Sequence, residues 1–393
     1  PHGRALDTLR ELVPAAGRVP VAALRRDLRG GERPQAVARP PGERSVAPDA
    51  EGVELPMADG GEGTLEALLA VWGVPAREVS TVDAIGRPRT ARYGVSADGR
   101  LGVVELAEAS GLPQVSDVAL QPLHAHTRGT GAAAAAVLDG GVDVVVGCVG
   151  AAASTDGGAG ILTGLGARLL DADAAPVPDG GEGLARAARR DRPGRHPRAR
   201  EVRWLLAVDV TNPLHGERGA AHVFGPQKGA QPADVAFLDD ALRRWAGVLA
   251  QETGVDVAEL AGAGAAGGVP AGMVGVLGAE LEPGARLVAE AVGRPAAIRA
   301  ADLVVTGEGS FDSQSVNGKV ADAMGALAAE APHRPPVVVR AGRVLLPAHQ
   351  AREAGIAAAF SIAPGPIALD ELLDRGLGWT APRPRGRGGG GGA

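Results

Sequence analysis

The stretch Val142-Asp-Val-Val-Val-Gly-Cys-Val149, followed at once by Gly150-Ala-Ala-Ala-Ser-Thr-Asp-Gly-Gly-Ala-Gly160, decides the fold class. An apolar, β-branched run of this length is the pattern of a strand covered on both faces. The glycines after it supply tight turns where backbone can approach backbone or a ligand. Working outward, Trp204–Val210, Ala301–Thr306 and Pro336–Val339 repeat the run, and Val53–Met57 reads as a shorter strand. Helical patterns fall between them, over Thr64–Val71, Gly131–Leu138, Ala233–Glu252, Ala285–Val292 and Val320–Glu330. Alternating buried strands and helices predict an α/β architecture with parallel sheets.

Composition narrows the class further. The 393 residues are 45% hydrophobic but only 2% aromatic, so the core is built from Ala, Val and Leu. A formal charge of −6 argues against a nucleic-acid or membrane-surface protein. One cysteine, Cys148, excludes an intrachain disulfide and a Cys-rich zinc site. No apolar run approaches the ~18 residues of a membrane span, and no signal-peptide pattern opens the chain. A cytoplasmic protein acting on small molecules is expected, as a monomer or a homodimer.

Four predicted strand-end loops share one design: glycines mixed with Asp, Glu, Ser or Thr. They are Asp59-Gly-Gly-Glu-Gly63, Ser154-Thr-Asp-Gly-Gly-Ala-Gly160, Asp209-Val-Thr-Asn-Pro213 and Thr306-Gly-Glu-Gly-Ser-Phe-Asp312. Carboxyl ends of parallel strands are where open α/β folds bind ligands. Glycines there let backbone N–H groups reach an anion, and carboxylates suit Mg²⁺ or a hydroxyl proton. A turn with a helix cap explains any one loop; four of them suggest a phosphoryl-transfer site. Of 40 Lys and Arg residues only Lys228 and Lys319 are lysine, and the two asparagines, Asn212 and Asn317, fall in the same neighbourhoods. A compact ammonium serves as a point charge on phosphate.

Other motifs carry less. Gly262-Ala-Gly-Ala-Ala-Gly267 fits a dinucleotide fingerprint without a preceding strand, leaving a nicotinamide-dependent oxidoreductase as a minor rival. Asp179-Gly-Gly-Glu-Gly183 reads as a turn before a helix. His124 and His126 lack a third metal ligand nearby. Arg-dense 186–203 and the tail 381–393 read as linker or disorder.

Taken in order, several blocks resemble the bacterial glycerate kinase family, of the glycerate 2-kinase type. They are Leu55–Gly63, Glu105–Leu112, Ser154–Gly160, Asp209–Leu214, Val223–Gly229, Gly262–Gly278 and Asp302–Gly309, the last running on to Asp312, Gln314 and Gly318-Lys319. The resemblance implies a Rossmann-like parallel-sheet domain made of residues 1–80 and 294–380, with a second α/β domain, 81–293, inserted into it. It implies transfer of the ATP γ-phosphoryl group to D-glycerate with Mg²⁺, giving 2-phosphoglycerate rather than 3-phosphoglycerate. On it, Asp59 and Asp312 are the candidate base and Mg²⁺ ligand, in either order, and Lys319 is catalytic beside them. Gly150, Ser154, Thr155, Asp156, Gly157, Gly158, Gly160 and Glu308 would bind nucleotide. Asp209, Asn212, Gln227 and Lys228 would bind glycerate.

Two departures stand out. The family opens on a strand and an Asp-x-Phe-Lys-Gly motif that residues 1–44 lack, so that segment is expected to be a frame-shifted or truncated translation. The family's Gly-Gly-Ser becomes Gly150-Ala151-Ala152. A homologue that binds glycerate or nucleotide without turnover is the alternative reading.

Overall fold

The computed structural model describes residues 22–23, 53–54, 58, 60–191, 196–313, 315–316 and 320–363. The first elements are β1 (Ala22–Ala23), β2 (Val53–Glu54), α1 (Thr64–Trp72), β3 (Arg77–Val82), β4 (Pro88–Val95) and β5 (Leu101–Glu105). Then come α2 (Leu106–Ser110), α3 (Arg128–Asp139), β6 (Val144–Cys148), α4 (Ala159–Gly164), β7 (Arg168–Leu170), α5 (Gly181–Leu184) and β8 (Arg189–Asp191). After these follow β9 (Arg203–Ala207), α6 (Ala220–Phe224), α7 (Pro232–Thr253), α8 (Val269–Leu277), β10 (Glu280–Glu282) and α9 (Gly284–Ala291). The last are α10 (Arg294–Ala300), β11 (Val304–Phe311), α11 (Val320–Glu330), β12 (Val337–Val344), α12 (Ala348–Glu353) and β13 (Ile356–Ser361).

The chain divides into two compact units: among the described residues, the first runs from 58 to Gly293, and the second joins β1 and β2 to the residues from Arg294 onward. In the first, a six-stranded sheet runs β10-β9-β6-β5-β4-β3. Strands β10, β9, β6 and β5 are parallel, while β4 and β3 are added antiparallel at one edge. The alternation along β6 shows why an apolar run was needed there. Val144 and Val146 pack with Leu65 and Leu68 of α1 and Leu287 and Val288 of α9. Val145 points into the cluster that holds Trp245, Leu242 and Leu238 of α7. Both faces are covered, so every position of the strand is buried. The second unit has a parallel sheet in the order β13-β12-β11-β1-β2, with Met324 and Leu327 of α11 buried.

Three differences from the sequence reading have physical causes. Residues 60–80 belong with the 81–293 unit, because α1 buries Leu65, Leu68 and Leu69 in the same cluster as Leu101 and Val103. The Arg-dense stretch is ordered over its described residues. β8 pairs with β7, Arg190 pairs with Glu252 at 3.3 Å, and Arg198 donates to the Val142 carbonyl at 2.8 Å. Its arginines find carboxylate and carbonyl partners, which composition cannot reveal. β11 runs on through Thr306–Phe311 because β12 pairs with it as far as Phe311↔Val344, so Gly307–Ser310 is strand rather than loop. Nearly all of 1–44 and the 381–393 tail lie outside the described residues. No helix among the described residues is long and apolar enough to cross a membrane.

Candidate active site

In the first unit the carboxyl ends of β6 and β9 open onto a cleft of about 290 Å³. Val149–Ala152, leaving β6, forms one wall and Ala207–Val210, leaving β9, another. Gly60 and Gly61, just before α1, close a third side, and Phe224, Gln227 and Lys228 a fourth. This is the position at which α/β sheets take ligands. Two walls meet backbone to backbone: a Cβ on Gly150 would sit 2.6 Å from Gly61 Cα. Ala151 and Ala266, both lining the cleft, hold φ of 57° and 50°. That left-handed region is costly for a residue with a Cβ, and such strain gathers at ligand sites.

Lys228 ends a short 3₁₀ turn, Pro226–Lys228, and is only 3% exposed. Its Nζ donates to the Ser154 carbonyl oxygen at 2.5 Å. Burial lowers its pKa to about 8, against the opposing pull of the Asp156 carboxylate. At neutral pH it therefore remains a cation. The Ser154 and Thr155 hydroxyls are buried with no hydrogen-bond partner among the described residues. Asp209 follows β9, and its Oδ1 accepts from the Gly284 amide at the start of α9, at 2.6 Å. Among the described residues the cleft thus carries one ammonium and one carboxylate, set among glycine turns. That set can hold a small anion and accept a hydroxyl proton.

The residues singled out in the sequence fall into separate groups. Asp209, Gln227, Lys228 and Gly150 share the cleft wall. Asn212 donates from its side-chain amide to the Arg218 carbonyl at 2.8 Å. Asp156 is fully buried and accepts from Thr127 N at 2.7 Å, Thr127 Oγ1 at 2.8 Å, Gly160 N at 3.1 Å and Gly158 N at 3.2 Å. Gly157 and Gly158 pack against Trp245 and the Val269 backbone, and Gly160 against the Thr127 and Arg128 amides. In this structure Asp156–Gly160 tie α3, α4, α7 and α8 together. In the second unit, Glu308 sits within β11 opposite Ala341. Asp312 Oδ2 accepts from Ser310 Oγ at 3.3 Å. Asp59 and Lys319 lie outside the described residues.

Of the lesser motifs, His124 pairs with Glu182 at 3.2 Å, and the second Asp-Gly-Gly-Glu-Gly leads into α5. Gly262–Gly267 includes the 3₁₀ turn Ala265–Gly267. Among the described residues, no group of three or more His, Cys, Asp or Glu side chains is placed to hold a metal ion. Glu105 carries no predicted role: it ends β5, is 3% exposed, and accepts from the Gly63 amide at 3.1 Å and the Leu65 amide at 2.9 Å. Its partners lie about 40 residues upstream, so only its presence in a motif block pointed to it.

Comparison with known proteins places this geometry. The profile of the Glycerate kinase family matches residues 33–380. A glycerate kinase of Halalkalibacterium halodurans is 40% identical over 335 residues, 85% of this chain and 88% of that protein. The glycerate 2-kinase of Escherichia coli is 38% identical over 344 residues, 88% of this chain and 89% of its own. A crystal structure from Salmonella typhimurium LT2, designated glycerate kinase 2, superposes with a TM-score of 0.77 at 35% identity, covering 93% of this chain and 96% of that one. The chain belongs to the glycerate kinase family.

Proposed function

We propose that this protein is a kinase that transfers the γ-phosphoryl group of ATP to D-glycerate, with the 2-hydroxyl as acceptor and Mg²⁺ as the metal. The observation that carries the reading is the buried ammonium of Lys228 in one cleft with the Asp209 carboxylate. Glycerate offers a carboxylate for the first and hydroxyls for the second. Lys228 binds the carboxylate, Gln227 adds an amide contact, and Asp209 accepts from a hydroxyl. Phosphoryl transfer asks mainly for positioning and charge stabilisation, so the site needs no nucleophilic side chain. The name of the Escherichia coli relative supports the 2-hydroxyl.

Mg²⁺ takes one or two carboxylates and completes its shell with phosphate oxygens and water. Asp312 is half-buried and braced by Ser310, so it fits such a hard-oxygen role. The metal would neutralise charge on the phosphates. Asp59 and Lys319 keep their proposed roles as base or metal ligand and as phosphate cation. ATP and glycerate as substrates support a cytoplasmic location.

A coupled ATP-consumption assay with D-glycerate, L-glycerate and no acceptor tests the reading, with the product resolved by phosphorus NMR. Turnover dependent on D-glycerate with phosphate on O2 is expected. Folded protein that binds glycerate without consuming ATP would overturn it in favour of a binding-only homologue.

A further inference from the structure

The turn Gly60–Gly63 forms one side of the cleft, yet its own side chains supply no hydrogen bond that holds it. Gly63 is the N-cap of α1 with φ of 87° and offers no side-chain cap. The first amides of a helix need acceptors from elsewhere when no cap is present. Here they come from across the sheet. Both oxygens of Glu105 are used, Oε1 by the Gly63 amide and Oε2 by the Leu65 amide. On its far side the turn has no slack. A Cβ on Gly60 would lie 2.3 Å from Ala207 Cβ, and the Gly150 backbone already abuts Gly61. Thr64 Oγ1 also donates to the Gly61 carbonyl at 2.7 Å, so the turn is held by its neighbour Thr64, by the cleft walls and by one carboxylate that does not itself line the cleft.

The surroundings of Glu105 are not those of a plain structural ion pair. Cys148 is its register partner on β6. The charged groups nearby are Glu66 of α1 and Glu108 of α2, both bound by Arg92 of β4. Arg92 has those two carboxylates as partners, and Glu105 keeps the two amides. A glutamine would be the easier group to bury, but it presents one acceptor and an NH₂ where two amides both require acceptors.

We propose that Glu105 is a positioning residue of the reaction: its two oxygens hold the Gly60–Gly63 turn in the register that lets Gly60 and Gly61 complete the glycerate cleft. The proposal rests on the cleft being the glycerate site. It predicts opposite signs for stability and activity, which a merely structural residue would not give.

Glu105→Gln and Glu105→Asp are compared with wild type for kcat, KM for glycerate, thermal midpoint and hydrogen–deuterium exchange of peptides spanning 60–69. For Glu105→Gln we expect an unchanged or higher midpoint, at least a tenfold loss of kcat/KM and faster exchange at 60–65. Glu105→Asp withdraws the carboxylate by one methylene and should lose activity with the same local exchange. Activity within twofold of wild type, or exchange at 60–65 unchanged, would overturn the proposal. So would parallel loss of folding and activity in both variants. A wild-type chain without turnover would sink the glycerate kinase activity instead, while exchange would still decide whether Glu105 holds the turn.

Discussion

Lys228 Nζ donates to the Ser154 carbonyl oxygen at 2.5 Å, and both residues are buried. A carbonyl is a weak partner for a desolvated ammonium. The Asp156 carboxylate attracts it too, yet burial outweighs that pull, so the ammonium is incompletely compensated and suited to an anion entering the cleft. Burial holds its pKa near 8 instead of the ordinary lysine value of 10.5.

Two outcomes follow for Lys228. Between about pH 8 and 10.5 the unfolded chain binds a proton that the folded chain has released, so stability rises with pH across that window. Below it the buried cation costs about 3 kcal/mol. Lys228→Met should thus keep or raise the midpoint of chemical unfolding at pH 7. It should also lower kcat/KM for glycerate by about 30- to 100-fold, the worth of one charge-assisted contact. In wild type kcat/KM should fall above pH 8 as the cation is lost. A flat profile from pH 7 to 9.5 would exclude Lys228 as the carboxylate anchor.

Asp209 tests the other half of the cleft. Asp209→Asn keeps an acceptor for the Gly284 amide but removes the charge. Steady-state kinetics should show a loss of about 10- to 100-fold, while the unfolding midpoint stays within a few degrees. Full activity in this variant would remove Asp209 from the proposed site.

Asp156 should behave in the opposite way. Four donors converge on its carboxylate from Thr127, Gly158 and Gly160. Asp156→Ala leaves them buried without an acceptor, which costs at least about 3 kcal/mol by the price of unmet buried polar groups. Urea denaturation reads this directly. A stable variant with weakened nucleotide binding would instead support the phosphate-binding role expected from the sequence.

What the sequence could and could not reveal follows from the range of the interactions involved. The β6 run was legible because its burial on both faces is written in consecutive residues. Helix α1 was legible because its apolar pattern is local. Asp156 looked like a loop carboxylate beside glycines, since its strongest donor, Thr127, lies 29 residues away. Thr306–Asp312 has the composition of a turn, yet pairing with β12 holds it extended to Phe311. The lysine count did single out Lys228, because a rare residue needs no partner in view to attract attention. The place of α1 in the first unit is equally non-local: it packs with Leu101 and Val103, some 35 residues downstream.

Glu105 yields a prediction about pH and stability that is independent of turnover. Burial raises its pKa to about 7 from the ordinary 4.5, with the Glu66 and Glu108 charges adding to the rise and the Leu65 and Gly63 amides opposing it. Between those two values the folded chain binds a proton that the unfolded chain has lost, so stability falls as pH rises through 4.5 to 7. The span amounts to about 3 kcal/mol. Glu105→Gln cannot ionise, so its unfolding free energy should change less over the same window and should match or exceed wild type at pH 8. Urea midpoints at pH 5, 6, 7 and 8 for both proteins would show the curves close together near pH 5, drawing apart towards pH 7, and parallel above it. Parallel curves would mean that Glu105 stays charged throughout, with its two backbone donors outweighing its burial.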